Sequence, residues 1–149
     1  MVESIEGAYG SHRGRSRTYP FPGKPLTSVV TFTPPVLNEY AFRALAFQVV
    51  TAAGGGARQL ILRILDPDGA TLYGVAAPGT QAGGLTVEYS FAPLVVASGS
   101  SALGFQQAPL PGGRWPEHVG LSVTLSGNAA GDKITVGRLS VTQYEDLPY

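Results

Sequence analysis

The side chains that could do chemistry are few and widely spread. The chain holds two histidines and no cysteine. A zinc site draws its nitrogen and sulfur ligands from close, regular spacings, and His12 and His118 cannot supply them. The serines gather in Gly/Ser loops such as Ser98-Gly99-Ser100-Ser101, without the strand–turn–helix elbow that presents a nucleophile. Asp66, Asp68 and Asp132 sit among turn residues and Glu145 and Asp146 in a terminal tail, and no two of them form a recognisable general acid and base. Asp66-Pro67-Asp68-Gly69 sets two acids two apart, as calcium loops do, but lacks the further Asp, Asn and Glu of such a loop. Pro second and Gly fourth suit a type I turn instead. Gly54-Gly55-Gly56 has neither the lysine nor the following helix of a phosphate loop and reads as a flexible strand connection. The expectation is a protein that is not an enzyme and takes no metal or cofactor.

The residues suited to gripping a partner lie elsewhere. Arg13, Arg15 and Arg17 alternate, so an extended chain projects them to one side, with Tyr9, Tyr19 and Phe21 interleaved. Such a segment could stack on nucleic acid, but ten basic residues balance ten acidic ones, whereas a nucleic-acid-binding domain is usually basic. An acidic groove on another protein is therefore the favoured target. Arg114-Trp115-Pro116-Glu117-His118 holds the single tryptophan in a loop ahead of an apolar run. Arg114 and Trp115 are candidate interface anchors, with Tyr144 and Tyr149 beside the C-terminal tail. The equal alternative is a tryptophan folded back to cap one end of the fold; a sugar-stacking platform with Tyr73 or Tyr89 is a third.

The elements that must position these groups are strands. Twenty glycines and twelve prolines, in 149 residues, punctuate the chain at intervals that helices tolerate poorly. About eight apolar runs result: Ser28–Thr33, Phe42–Thr51, Arg58–Leu65, Ala70–Ala76, Leu85–Phe91 with a continuation toward Ala97, Ala102–Gln106, Val119–Ser126 and Lys133–Tyr144. The run through Phe42–Thr51 also fits a helical stripe from Leu37, but Phe47-Gln48-Val49-Val50-Thr51 suits a pleated surface better. Arg58–Leu65 is apolar on both parities, so it is central or faces a partner. In the last run the buried parity shifts, and a β-bulge at Gly137-Arg138 would place Ile134, Val136, Leu139 and Val141 together in the core and aim Tyr144 and the tail away from the sheet. The prediction is an all-β, two-sheet antiparallel sandwich of jelly-roll or Greek-key type over residues 28–149, preceded by an extended arm, residues 1–27, ordered by another subunit.

Only 13% of residues are charged and the net charge is zero, a surface that favours association. No apolar run approaches the roughly 18 residues of a membrane span, so no membrane partner is expected. The stretch from about Arg58 to Tyr144 resembles small β-sandwich virion proteins of tailed bacteriophages, through Leu-Arg-Ile-Leu-Asp-Pro-Asp-Gly at 62–69 and a last hairpin in which Gly131-Asp132 precedes a strand ending Val141-Thr142-Gln143-Tyr144-Glu145. The resemblance implies a non-enzymatic virion subunit assembled in the host cytoplasm, a homo-oligomer and often a trimer. It would decorate or cement a capsid by binding the major capsid protein through an arm or loop edge. The competing expectation is a carbohydrate- or receptor-binding sandwich.

Overall fold

The computed structural model describes residues 14–36 and 38–144. Tyr9, His12, Arg13, Leu37, Tyr149 and the tail acids Glu145 and Asp146 lie outside the described residues.

Two layers of strands enclose one core. The strands are β1 (Gly14–Phe21), β2 (Lys24–Pro25), β3 (Val30–Phe32), β4 (Tyr40–Val50), β5 (Gln59–Leu65), β6 (Thr71–Ala76), β7 (Thr86–Ala92), β8 (Ser98–Ser100), β9 (Phe105–Pro109), β10 (Gly120–Ser126), β11 (Lys133–Ile134) and β12 (Gly137–Tyr144). The larger sheet runs β1-β12-β4-β7-β9-β8, with β11 bridging β2 and β4; the smaller runs β3-β10-β5-β6. The antiparallel pairs β1 with β12, β3 with β10, β4 with β7 and β5 with β6 are nested one inside the next. A long hairpin of four such nested pairs, rolled so that alternate pairs fall in opposite sheets, is a jelly-roll. The fold expected from the sequence is the one observed, with β8 and β9 added at one side. β9 lies parallel to β7.

Several runs differ from their expected form. Residues 14–25, expected within an arm, form β1 and β2 on the edge of the larger sheet, and Phe21 and Leu26 are fully buried. The run Ala102–Gln106 is divided: a 3-10 turn at Ser101–Leu103 ends on left-handed Gly104, and β9 starts only at Phe105. The run from Phe42 is strand, as expected, and ends at Val50; Phe42, Leu45, Phe47 and Val49 all face the core. Phe47 is the centre of an aromatic cluster, stacked at 5.7 Å on Phe21 and 6.0 Å from Tyr89 and Phe91. Each such pair contributes about 0.5–1.5 kcal/mol beyond the area it buries. The smaller sheet answers with Leu60, Leu62, Ile64, Leu121, Val123 and Leu125. β5 is central, as its double-sided apolar run requires, and Ile61 and Leu65 are half-buried on its outer face.

The parity shift in the last run is real but falls earlier than expected. Ile134 faces Val49 while Arg138 faces Ala46, so the final strand carries one more residue than β4 across Thr135–Gly137. Ile134, Leu139 and Val141 are buried, whereas Val136 is 70% exposed at the bulge and does not join the core. Gly137 is required there, since a Cβ would collide with the carbonyl oxygen of Ala46. A second irregularity restores the register: Ser140 faces Ala44 and Val141 faces Phe42, which leaves Arg43 as the extra residue on β4.

Candidate partner-binding surface

At one end of β4 the structure gathers three of the residues singled out in the sequence. Tyr144 remains in the sheet, paired with Gly14, and its backbone N–H donates to the Glu39 carbonyl at 2.8 Å. This corrects the expectation that the last strand turns Tyr144 away. Arg43, placed outward by its bulge, donates from Nε to Thr142 Oγ1 at 2.7 Å and from Nη2 to Tyr144 Oη at 2.9 Å. Arg114 lies with Cζ 3.8 Å from the centroid of the Tyr144 ring and its Nη1 3.5 Å from Glu39 Oε1. These are exposed contacts, each worth about 0.5–1 kcal/mol or less. Their effect is to set two exposed guanidinium groups and a half-buried phenol ring beside the Glu39 carboxylate.

Trp115 forms the floor of this array. It exchanges backbone hydrogen bonds with Tyr40, at 2.9 and 2.7 Å, and its half-buried ring packs on the core. Its indole N–H is buried without a hydrogen-bond partner among the described residues. Tyr40 beneath it is fully buried and donates its hydroxyl to the Val119 carbonyl; burial pushes that phenol well above the ordinary tyrosine range. The tryptophan is thus the folded-back cap. The stacking platform is not assembled: Tyr89 is buried in the core, and half-buried Tyr73 donates its hydroxyl to the Pro109 carbonyl of β9.

The expected arm residues separate into two kinds. Arg15 and Arg17 are exposed on β1, and Tyr19 is half-buried beside the core. Phe21 is fully buried, with its ring against Phe47 and Phe32, and is a core residue unavailable to a partner.

The opposite end of β4 holds a polar network that the sequence does not reveal. Arg58 and Asp132 have fully buried side chains and form a two-pronged ion pair, Nε to Oδ2 at 3.0 Å and Nη2 to Oδ1 at 3.1 Å. The remaining guanidinium hydrogens go to the carbonyls of Gly54, Gly56 and Ala52 at 3.0, 2.9 and 3.2 Å. Asp132 also accepts the backbone N–H groups of Ala52 and Ala129, both at 2.8 Å. Burial alone would raise this carboxyl's pKa; the bonds from Arg58, Ala129 and Ala52 and the guanidinium charge outweigh it and hold the pKa below the usual carboxylate value. The triple-glycine loop is therefore a carbonyl cradle, with Gly54 and Gly55 at positive φ. Beside it buried Gln81 donates to the Val49 and Leu85 carbonyls and accepts from Tyr89 Oη at 2.9 Å. Burial raises the Tyr89 phenol to about 12. Every charge in this network is matched, so it ties loops together and offers no free reactive group.

Asp66 Oδ1 accepts from the N–H groups of Asp68 and Ala70, and Gly69 N–H donates back to the Asp66 carbonyl at 2.9 Å, so the 66–69 motif is a self-capped turn. Among the described residues no three His, Asp or Glu side chains group to hold a metal. Nor is any helix there long and apolar enough to cross a membrane. An open depression of about 380 Å³ follows the bulge at Val136, where Gln48 Nε2 donates to Glu88 Oε1 beside Arg138. It contains no nucleophile paired with a base.

The geometry defines an all-β, two-sheet jelly-roll sandwich with an exposed cationic and aromatic cluster where its first and last strands meet. No protein-family model matches the sequence, and no curated protein matches it. Among solved structures the chain is similar to chains of infectious bursal disease virus. For the Gx strain the TM-score is 0.44 at 15% identity, over 90% of this chain and 33% of that one. For the VP2 subviral particle the values are 0.40 and 16%, over 90% and 34%. The chain spans about a third of the length of these neighbours.

Proposed function

We propose that the chain is a non-enzymatic structural subunit of a virion, which decorates or cements the capsid of a tailed bacteriophage by binding the major capsid protein. The observation that carries this reading is the pairing of Gly14 with Tyr144 inside the exposed Arg43, Arg114 and Tyr144 cluster. The segment bearing Tyr9 and Arg13 precedes β1 at that point, and Arg15 and Arg17 add charge on the other face of the strand, opposite Gln143 and Val141. Ordering a free arm costs roughly 1–2 kcal/mol per residue. β1 is already held against β12, so Arg15, Arg17 and Tyr19 carry none of that cost when an acidic groove on the capsid protein receives the arm. Tyr19 supports the strand from its half-buried position, and Arg114, Trp115, Tyr144 and Tyr149 form the adjoining contact. A neutral chain with few charges suits permanent assembly.

Deleting residues 2–13 tests the reading while leaving β1 in place. The truncated protein should keep the wild-type far-UV spectrum and be missing from gradient-purified particles of its own virus, in which the full chain is found by mass spectrometry. Recovery of the truncated chain from particles at full stoichiometry refutes the role of the arm. Absence of the full chain from those particles refutes the virion reading itself.

A further inference from the structure

Among the described residues the two sheets present four edges, and three of them are guarded against adding a further strand. β1 carries Arg15, Arg17 and Pro20, while β3 and β8 are each three residues long. Natural sheets use charges, proline and shortness to keep edges from pairing. β6, Thr-Leu-Tyr-Gly-Val-Ala, is six residues long and has neither a charge nor a proline, and its burial pattern is largely exposed. Its outer edge pairs with no strand among the described residues.

The hydrogen-bond alternation shows what that edge offers. Ala77 N–H donates to the Leu60 carbonyl, so in an antiparallel ladder the polar backbone groups of Ala76, Gly74 and Leu72 point away from β5. The regular ladder runs from Ile61 opposite Ala76 to Ile64 opposite Tyr73, and a bulge at Leu72 ends it. Leu72 is 46% exposed there. On the inner face Tyr73 is tied to β9 through the Pro109 carbonyl, so the strand is held firmly by one side and left open at the other.

We infer that the free edge of β6 pairs antiparallel with β6 of a second copy about a two-fold axis at Gly74, joining the two smaller sheets into one. Charge selects this occupant and this direction. No charged residue falls in the stretch from Gly69 to Val87, and the nearest acids in sequence, Asp66 and Asp68, lie in the turn before the strand. Arg63, opposite Gly74 on β5, donates to Thr124 on β10, away from the open edge. In an antiparallel pair of identical strands the two acidic turns fall at opposite ends, whereas a parallel pair would set them side by side. A chain of zero net charge adds no general repulsion between copies. The two-fold register places Leu72 opposite Ala76 of the other copy and makes about six main-chain hydrogen bonds. The pairing is independent of the capsid reading, since a protein that never enters a virion would still associate in this way.

Charge exchange at the exposed positions tests both the surface and its direction. Sedimentation of the full chain over a concentration series should show a two-copy species. Leu72→Lys with Ala76→Lys sets lysine against lysine at both ends of the pair and should halve the sedimenting mass, while the far-UV spectrum stays that of wild type. Leu72→Lys with Ala76→Glu sets lysine against glutamate and should restore the pair. A wild-type protein that is monomeric throughout overturns the inference. So does an assembly, trimeric or otherwise, that survives the double lysine variant, and failure of the lysine–glutamate variant to restore it overturns the antiparallel register.

Discussion

Replacing Asp132 by asparagine should be among the most damaging single changes open to this chain, although it alters one atom. The carboxylate accepts four hydrogen bonds, from Arg58 Nε and Nη2 and from the N–H groups of Ala52 and Ala129. An amide can keep two of them on its oxygen, but its NH2 then faces two donors. The Arg58 guanidinium is left charged, with its side chain fully buried. Removing one partner of a buried ion pair costs about 3–5 kcal/mol, a large share of the roughly 5–15 kcal/mol that holds a domain together. At this chain length that corresponds to a fall in Tm of roughly 6–20 °C.

Urea unfolding followed by the fluorescence of Trp115, the single tryptophan, gives the measurement. Arg58→Met combined with Asp132→Leu should cost less than the two single changes added together, because the double variant leaves no unpaired buried charge. The pH dependence has a definite sign. The folded-state pKa of Asp132 is depressed, so the pair's contribution is complete above the ordinary carboxyl value of about 3.9 and is lost as pH falls through the lower folded value. The gap between wild type and Asp132→Asn should therefore narrow in acid. A variant within about 1 kcal/mol of wild type at neutral pH, against the expected 3–5, would refute the reasoning.

Two further outcomes follow from burial. The raised pKa of Tyr89, about 12, and that of Tyr40 mean that stability is intact below the ordinary phenol value of about 10 and declines as pH rises through the folded values; alkaline titration followed by tyrosine absorbance should show these two ionising after the exposed tyrosines, together with unfolding. Val136→Ser should change stability by less than about 0.5 kcal/mol, whereas Ile134→Ser should cost several times that, since Val136 is 70% exposed and Ile134 only 1%. Thermal unfolding of the two variants checks the position of the bulge.

The architecture is legible wherever one face of a strand is buried. Leu85, Val87, Tyr89 and Phe91 announce β7, and Leu121, Val123 and Leu125 announce β10, because the period of two survives when solvent faces the other side. β1 is not legible. Its inward parity carries Arg17 and Tyr19 before Phe21, and only Phe21 reaches the core, so an edge strand bearing protective charges looks like an arm. Arg58 and Asp132 escape sequence reasoning for a different cause: they stand 74 residues apart, and neither helix nor strand periodicity relates them. The available signal is local to each. A glycine run two residues before an arginine can supply free carbonyls to it, and a Gly-Asp step can turn a carboxylate inward.

The terminal cluster and the buried ion pair occupy opposite ends of β4, an eleven-residue strand, and so lie roughly 30 Å apart. At that distance perturbations act independently. The separation has a physical use in a chain without disulfides. The loops at the Val50 end carry glycines at positive φ and would be the first to open; Arg58 and Asp132 lock them from inside without presenting charge to solvent. The Tyr40 end keeps its guanidinium groups exposed, where each contact is weak enough to be exchanged for one with a partner. Charge that stabilises the fold is thus fully desolvated and matched, while the guanidinium groups of the Tyr40 end stay wet. Reversing the arginines of the Tyr40 end should accordingly alter partner binding with little change in folding stability, and removing Asp132 should do the opposite.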